Sequence, residues 1–292
     1  MYLPDIDVHE CTTLHEAASL MRRFAPQARL LAGGTDVLVD LKTGRASTQH
    51  LVSLNRIASL RGISETPEAL RIGALTSITE LNRSALIEKR CAPLLDASRR
   101  MAAPPIRNVA TAGGNIASAV PCADLPPILM ALYAEVEIWS PTETRRLPIE
   151  RFFHGPRATA LKNDEILAAI LVPRMPGGFG AAYERFGLRE GNAIAVASVA
   201  ASLRLEGDEI AAARLVLGAV APIPKSVEEA CEALVGHTPD GDAFQEAARI
   251  AKDAAEPISD VRGTAKFRRD LVEVLTFRAL AKALARAREA GP

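Results

Sequence analysis

Apolar and polar positions run through this chain in two rhythms. Near the start Leu14, Ala17, Ala18, Met21 and Phe24 fall on one stripe of a helix. Thr13 and Glu16 stand before it at capping-box spacing, and Pro26 ends it. Short apolar runs at 28–32 and 51–54 predict buried strands. Helix between strands predicts a small α/β unit with a glycine loop at a strand's carboxyl end, where open α/β sheets place ligands. From about Ile57 the texture changes. Residues 70–74 predict a strand, Ser77 and Glu80 repeat the capping spacing, and helices are predicted over 78–101 until Pro104-Pro105 breaks the run. Asp124-Leu125-Pro126-Pro127 predicts a helix start with Asp124 as cap. Strands are predicted at 135–139 and 165–172, the second stopped by Pro173, and Pro176-Gly177-Gly178 reads as a linker. Strands at 181–186, 194–205 and 211–220 are followed by helices at 226–234, 241–254 and 264–288, an α+β pattern.

Composition narrows the class. The 292 residues suffice for two domains, and 48% apolar with 24% charged is ordinary for a globular chain. Lys plus Arg and Asp plus Glu both number 35, so charge balance points to neither nucleic acid nor an anionic membrane. The basic group Lys266-Phe267-Arg268-Arg269 reads as a solvated helix face. Cys11, Cys91, Cys122 and Cys231 are scattered, and with His9, His15, His50, His154 and His237 they show no metal-ligand spacing. Met1 to Asp5 lacks the basic and apolar regions of an export signal, and no apolar run reaches about 18 residues, so a cytoplasmic protein without a membrane span is expected.

Two glycine-bearing loops carry the candidate chemistry: Ala32-Gly33-Gly34-Thr35-Asp36 and Thr111-Ala112-Gly113-Gly114-Asn115. Without side chains, a backbone presses close to an anion and aims N–H groups at it. Neither loop is a G-x-G-x-x-G fingerprint. The Asp36 carboxylate, repelled by phosphate, is expected to turn away and cap the next segment. Arg107 reads either as a surface charge or as a clasp for the second loop. Asn115 reads either as the residue of a left-handed turn or as a donor to the ligand. Asp124 reads as a cap, as an acceptor for a sugar hydroxyl, or as both. No nucleophile elbow, P-loop or carboxylate pair is present, so chemistry is expected from a bound cofactor.

These segments, with Leu30-Leu31 before the first, Ile106-Arg107-Asn108 before the second, Ala123-Asp124-Leu125-Pro126-Pro127 and Glu165-Ile166-Leu167, stand in an order that resembles the medium, FAD-binding subunit of the molybdenum hydroxylases. That group includes bacterial xanthine dehydrogenase and aerobic carbon monoxide dehydrogenase. The resemblance implies an α+β chain: a two-subdomain FAD-binding domain of the vanillyl-alcohol-oxidase (PCMH) type over 1–175, divided near 56, then a small α+β C-terminal domain of the CO dehydrogenase flavoprotein type over 179–288. It implies that Leu30, Leu31, Ala32, Gly33, Gly34, Thr35, Asp36, Val37 and Leu38 wrap FAD, with 32–36 on the diphosphate and Thr111, Gly114 and Asn115 facing it. It places Ser118 and Asp124 on the sugar chain, Met101, Ala102, Ile106 and Ala110 in apolar contact, Ile166 and Leu167 near the ring, and Arg185 where several relatives carry lysine near the ring. Ala193 stands where many relatives have aspartate, and no long cysteine-bearing insertion separates Ser118 from Asp124, which argues against an extra iron–sulfur cluster.

The function implied is an oxidoreductase flavoprotein subunit with no catalytic side chain of its own. A large molybdopterin-binding partner would carry the molybdenum cofactor, and a small partner two [2Fe-2S] clusters, in a heterotrimer or a dimer of heterotrimers. This chain would take electrons from those clusters and pass them to an external acceptor. The alternatives are a stand-alone FAD-dependent oxidase or dehydrogenase, against which stands the lack of a substrate-handling base, and a nucleotide-binding module without activity.

Overall fold

The computed structural model describes residues 5–291, so the reading of Met1 to Pro4 lies outside it. β1 (Asp7–Glu10), α1 (Leu14–Phe24), β2 (Ala28–Leu31), α2 (Val37–Lys42) and β3 (His50–Ser53) form the first layer, a parallel sheet ordered β1-β3-β2. Thr13 Oγ1 accepts the Glu16 N–H at 3.1 Å, while the Glu16 carboxylate returns to the Thr12 N–H at 2.9 Å. α1 buries Ala17 and Ala18, and Ala17 shares one apolar cluster with Val52 and Leu54. β1 escapes the pattern of the sequence because Asp7, Val8 and Glu10 are exposed on an edge strand.

The second layer is antiparallel. β4 (Ile63–Glu65) and β5 (Ala69–Gly73) precede six short helices: α3 (Ile78–Arg83), α4 (Ala85–Arg90), α5 (Pro93–Ser98), α6 (Pro104–Val109), α7 (Ala112–Ala117) and α8 (Leu125–Ala131). β6 (Glu135–Trp139), β7 (Thr144–Pro148), the pair β8 (Phe153–Gly155) and β9 (Ala158–Thr159), and β10 (Ile166–Pro173) complete it, in the order β4-β5-β10-β6-β7. The helices expected over 78–101 are three, because Ser84 ends one turn and caps the next and Pro93 opens a third. Pro104-Pro105 opens α6 rather than only breaking its predecessor, as proline at the first helical positions does. β10 is the wall between two cores. Ile166 and Ala168 pack towards the N-terminal cluster, and Leu167, Ile170 and Val172 towards the larger one under the helices.

β11 (Phe179–Gly187), β12 (Ala195–Glu206), β13 (Glu209–Gly218) and β14 (Lys225–Ser226) form a third sheet in that order, followed by α9 (Glu228–Glu232), α10 (Gly241–Ala254) and α11 (Ala265–Ala290). α11 lies so close to β11 that a Cβ on Gly180 would sit 2.1 Å from the Ala283 carbonyl oxygen. The basic group at its head is a solvated face only in part, since Lys266 and Arg269 are exposed and Arg268 is not. Arg268 is buried and paired with Asp260, and Arg269 donates to the Ala255 carbonyl at 3.1 Å, because the loop before α11 folds back over its first turn. Gly178 is likewise held, accepting the Leu205 N–H at 2.9 Å.

Asp96 on α5 fastens the third sheet to the second layer. Its carboxylate meets Arg286 at 2.6 and 3.0 Å and Lys282 at 3.0 Å, both from α11, and accepts the Tyr183 N–H at 3.2 Å. Burial raises this carboxyl, but the bonds and charges of Arg286 and Lys282 outweigh it and hold it below its ordinary 3.8. A depressed carboxyl contributes stability that is present above 3.8 and lost as the pH falls through the lowered value. Thermal unfolding followed by circular dichroism is therefore expected to weaken below about pH 4. Asp96→Asn is expected to lose ~2 kcal/mol at neutral pH and to flatten the acid limb; an acid limb as steep as the parent's would refute the assignment.

Candidate functional site

The first glycine segment leaves β2 at its carboxyl end and enters α2. Residues Leu30 to Leu38 are all half-buried, neither core nor open surface. Gly34 has φ +74°, a conformation that costs a side chain dearly, which explains glycine there. None of the Gly33, Gly34, Thr35 and Asp36 N–H groups donates to a described protein acceptor. Four successive N–H groups without a protein acceptor are the kind of backbone run that takes an anion, and Gly33 among them lines the cleft described below.

The second segment is not a loop. Thr111 is the N-cap of α7, its Oγ1 accepting the Gly114 N–H at 3.0 Å. The Ala112 and Gly113 N–H groups go to the Thr76 and Ala74 carbonyls at 2.8 and 2.9 Å. These donors are spent inside the protein, so among the described residues the second segment keeps only the Thr111 N–H and otherwise contributes shape. Gly113 is glycine because a Cβ would meet Ala74 Cβ at 2.6 Å.

The two segments meet. A Cβ on Gly33 would lie 1.9 Å from the Val109 carbonyl oxygen, so only glycine lets the first pass the α6–α7 turn. Across the same seam, Ser118 Oγ stands 2.9 Å from Asp36 Oδ2 and 2.5 Å from the Gly114 carbonyl, and its one proton serves one acceptor at a time. Asp36 does not cap α2, contrary to expectation, because Ser118 offers it a partner across the seam. A cleft of about 630 Å³ opens here, lined from both sides by Ala32, Gly33, Val109 and Thr111, with Arg61 and Arg83 beside them. A larger hollow of about 890 Å³ lies elsewhere, around Tyr133, Glu150 and Arg214, and includes neither glycine segment.

The remaining candidate residues divide. Arg107 is a clasp, donating to the Met101 and Ala102 carbonyls at 2.6 and 3.3 Å. Ala102 and Ala119 hold φ of 44° and 45°, left-handed values that cost about 1 kcal/mol or more each. Ile106 is 40% exposed and Ala110 half-buried. Asn115 lies within α7, not in a left-handed turn; its Oδ1 accepts the Leu125 N–H at 3.2 Å and its Nδ2 approaches the Met101 sulfur at 3.9 Å. Asp124 does not cap α8, because the second and third helical residues, Pro126 and Pro127, have no N–H to give it. Its carboxylate instead meets Tyr183 Oη at 2.8 Å and Arg185 Nη1 at 3.0 Å. Burial raises this carboxyl, opposed first by the Arg185 charge and then by the Tyr183 bond. Arg185 is buried, its terminal nitrogens committed to Asp124, the Arg100 carbonyl at 3.1 Å and the Ala193 carbonyl at 2.5 Å. Ile166 and Leu167 are buried in separate cores, Ile166 in the cluster that includes Leu75 of the cleft wall. Sequence reasoning missed Tyr183, a lone tyrosine within an apolar strand, and Ser77, Thr79 and Arg83, which line the cleft from α3 and its cap. Among the described residues no cluster of metal-ligating side chains converges, and no helix is long and apolar enough to cross a membrane.

An α+β frame whose glycine segments converge on one cleft, with unspent backbone donors on one wall, defines a protein that holds a large phosphorylated cofactor. The comparisons with known proteins name it. Residues 4–175 match the FAD binding domain in molybdopterin dehydrogenase, and residues 181–283 match the CO dehydrogenase flavoprotein C-terminal domain. The chain is 34% identical to the carbon monoxide dehydrogenase medium chain of Hydrogenophaga pseudoflava over 98% of this chain and 99% of that one. It is also 34% identical to the xanthine dehydrogenase FAD-binding subunit of Escherichia coli O157:H7, over 96% of each. A solved structure of carbon monoxide dehydrogenase from Hydrogenophaga pseudoflava superposes with a TM-score of 0.95 over 98% of this chain and 99% of that one, at 34% identity. The chain belongs to the FAD-binding medium chains of the carbon monoxide dehydrogenase and xanthine dehydrogenase type of molybdenum hydroxylase.

Ser118→Ala removes the bond across the seam. It is expected to cost about 1 kcal/mol, a fall of about 2–4 °C in melting temperature for a chain of this size. An unchanged melting temperature would show the seam does not need that bond.

Proposed function

We propose that this chain is the electron-transfer subunit of a heteromeric molybdenum hydroxylase, taking electrons from the [2Fe-2S] clusters of a small partner and passing them to an external acceptor. A large partner with the molybdenum cofactor would oxidise the substrate, in a heterotrimer or its dimer. The observation that carries the reading is the convergence of the two glycine segments on one cleft with four unspent N–H donors.

The residues present fit FAD. A diphosphate suits the Gly33, Gly34, Thr35 and Asp36 N–H groups, and Gly33 has no side chain to hold it off. Arg61 and Arg83 bring positive charge to the cleft. Thr111 and Gly114, with Asn115 behind them, form the facing wall. Leu30, Leu31, Val37 and Leu38 exclude water from one side, and Met101, Ala102, Ile106 and Ala110 from the other. Ser118 and Asp124 supply the hydroxyl-binding groups. Ile166 and Leu167 support the cleft from β10, and Arg185 acts through Asp124. Bound FAD supplies exchange of one or two electrons, which suits it to couple one-electron clusters to a two-electron acceptor. No side chain here has to move a proton, so the chain's part is to bind, orient and shield.

Purified with its partners, the chain is expected to carry one FAD, measured by absorbance and by extraction. A complex from which no flavin is extracted and that takes up no added FAD would refute the reading. Gly33→Ala is expected to lower FAD affinity about tenfold or more, since the new Cβ drives the first segment away from the Val109 carbonyl. Gly191→Ala is the control: a Cβ there meets nothing within 4 Å. Equal flavin retention in the two variants would contradict the placement of the diphosphate.

A further inference from the structure

Asp124 is held by the next sheet, not by its own helix. Tyr183 and Arg185 stand two apart on β11, so both side chains leave one face of that strand, and both reach the Asp124 carboxylate. The bonds are unevenly shared. Oδ1 takes the Tyr183 hydroxyl at 2.8 Å and Arg185 Nη1 at 3.0 Å, while among the described residues Oδ2 has only the same Nη1 at 3.1 Å. Nη1 also donates to the Arg100 carbonyl at 3.1 Å, which occupies one of its two protons. The other proton is therefore split between the two carboxylate oxygens, and Oδ2 receives at most part of one bond. A buried carboxylate oxygen this poorly served costs free energy unless something else donates to it.

A buried ion pair is weak evidence of stabilisation, because desolvation offsets the attraction. Here it fixes an acceptor beside the cofactor wall: Asn115 of α7 bonds the N–H of Leu125, the residue after Asp124. The Asn192 N–H bonds the Ala102 carbonyl at 3.1 Å, so the loop after β11 is tied to the same wall. Resting on the functional reading above, we propose that Tyr183 and Arg185 are positioning residues that hold Asp124 with Oδ2 free to accept a sugar hydroxyl of FAD. Arg185 neutralises the carboxylate and Tyr183 sets its rotation, so the acceptor is ordered before the cofactor arrives. Burial, and after it the Asp124 charge, push the Tyr183 phenol well above its ordinary 10, which keeps it a donor throughout the working range. The third sheet then governs cofactor affinity through β11 without touching the cofactor.

The test is a double-mutant cycle on the flavin-free chain, with FAD affinity read from quenching of flavin fluorescence. Asp124→Asn is expected to weaken FAD about tenfold and Tyr183→Phe about fivefold, while the double variant is no more than about twofold worse than Asp124→Asn alone. Arg185→Lys keeps the charge but not the fork, and is expected to lose affinity to a similar degree as Tyr183→Phe. Melting temperatures identify any variant that fails to fold, and Arg185→Lys stands in for Tyr183→Phe if needed. FMN, which carries the ribityl chain alone, and ADP, which carries the ribose alone, separate the two sugars: the loss should follow the one whose hydroxyl Oδ2 accepts. Additive losses in the cycle, or no loss with either FMN or ADP, would overturn the inference. A parent chain that binds no FAD would sink the functional reading as well, whereas a parent that binds it with additive losses sinks this inference alone.

Discussion

The passage of Gly33 beneath the Val109 carbonyl is the contact on which the site depends. It brings a segment from the parallel sheet against the α6–α7 turn of the second layer at a distance no side chain permits. The Ser118–Asp36 bond closes the same seam, and Arg157 pairs with Asp40 of α2 from a loop of the second layer. With the seam closed, Gly33 of the first segment and Thr111 of the second line one cleft. Preorganised donors against a fixed wall bind an anion without a further ordering cost.

The rest of the molecule holds that seam in place. β10 separates the two cores and is buried along nearly its whole length, so each layer packs against a rigid partition. The third sheet is fastened through buried or half-buried charges: Asp96 with Arg286 and Lys282, Asp124 with Arg185, Glu150 with Arg214. These pairs specify how the layers meet more than they stabilise the meeting, since leaving any one partner alone in the interior is costly.

Much of the frame was legible in the chain. The stripe and cap of α1, the apolar run of β10, the capping box at Ser77 and the strands of the third sheet all follow from local chemistry, and the glycine doublets marked where backbones approach closely. What misled was local chemistry overruled by a neighbour. Glycine disfavours a helix by about 1 kcal/mol relative to alanine, so Gly113-Gly114 read as a loop. The Ala74 carbonyl and the crowding of a Cβ there make the helix the better answer. Asp124 resembles a cap in sequence, yet Pro126 and Pro127 offer it no N–H, and its carboxylate turns to Tyr183 and Arg185 on another strand. Arg268 resembles a surface charge, yet Asp260 lies over it.

The sequence by itself determined the periodicities, the caps and the presence of two side-chain-free segments, because each depends on residues within a few positions of one another. It also carried the resemblance that placed FAD here. Only the tertiary structure decided which segment keeps its backbone donors, which carboxylate is pinned and by what, and that a tyrosine on a distant strand belongs to the site. Those are contacts between residues tens of positions apart, and the partner that satisfies a hydrogen-bonding group is chosen by the packing of whole layers.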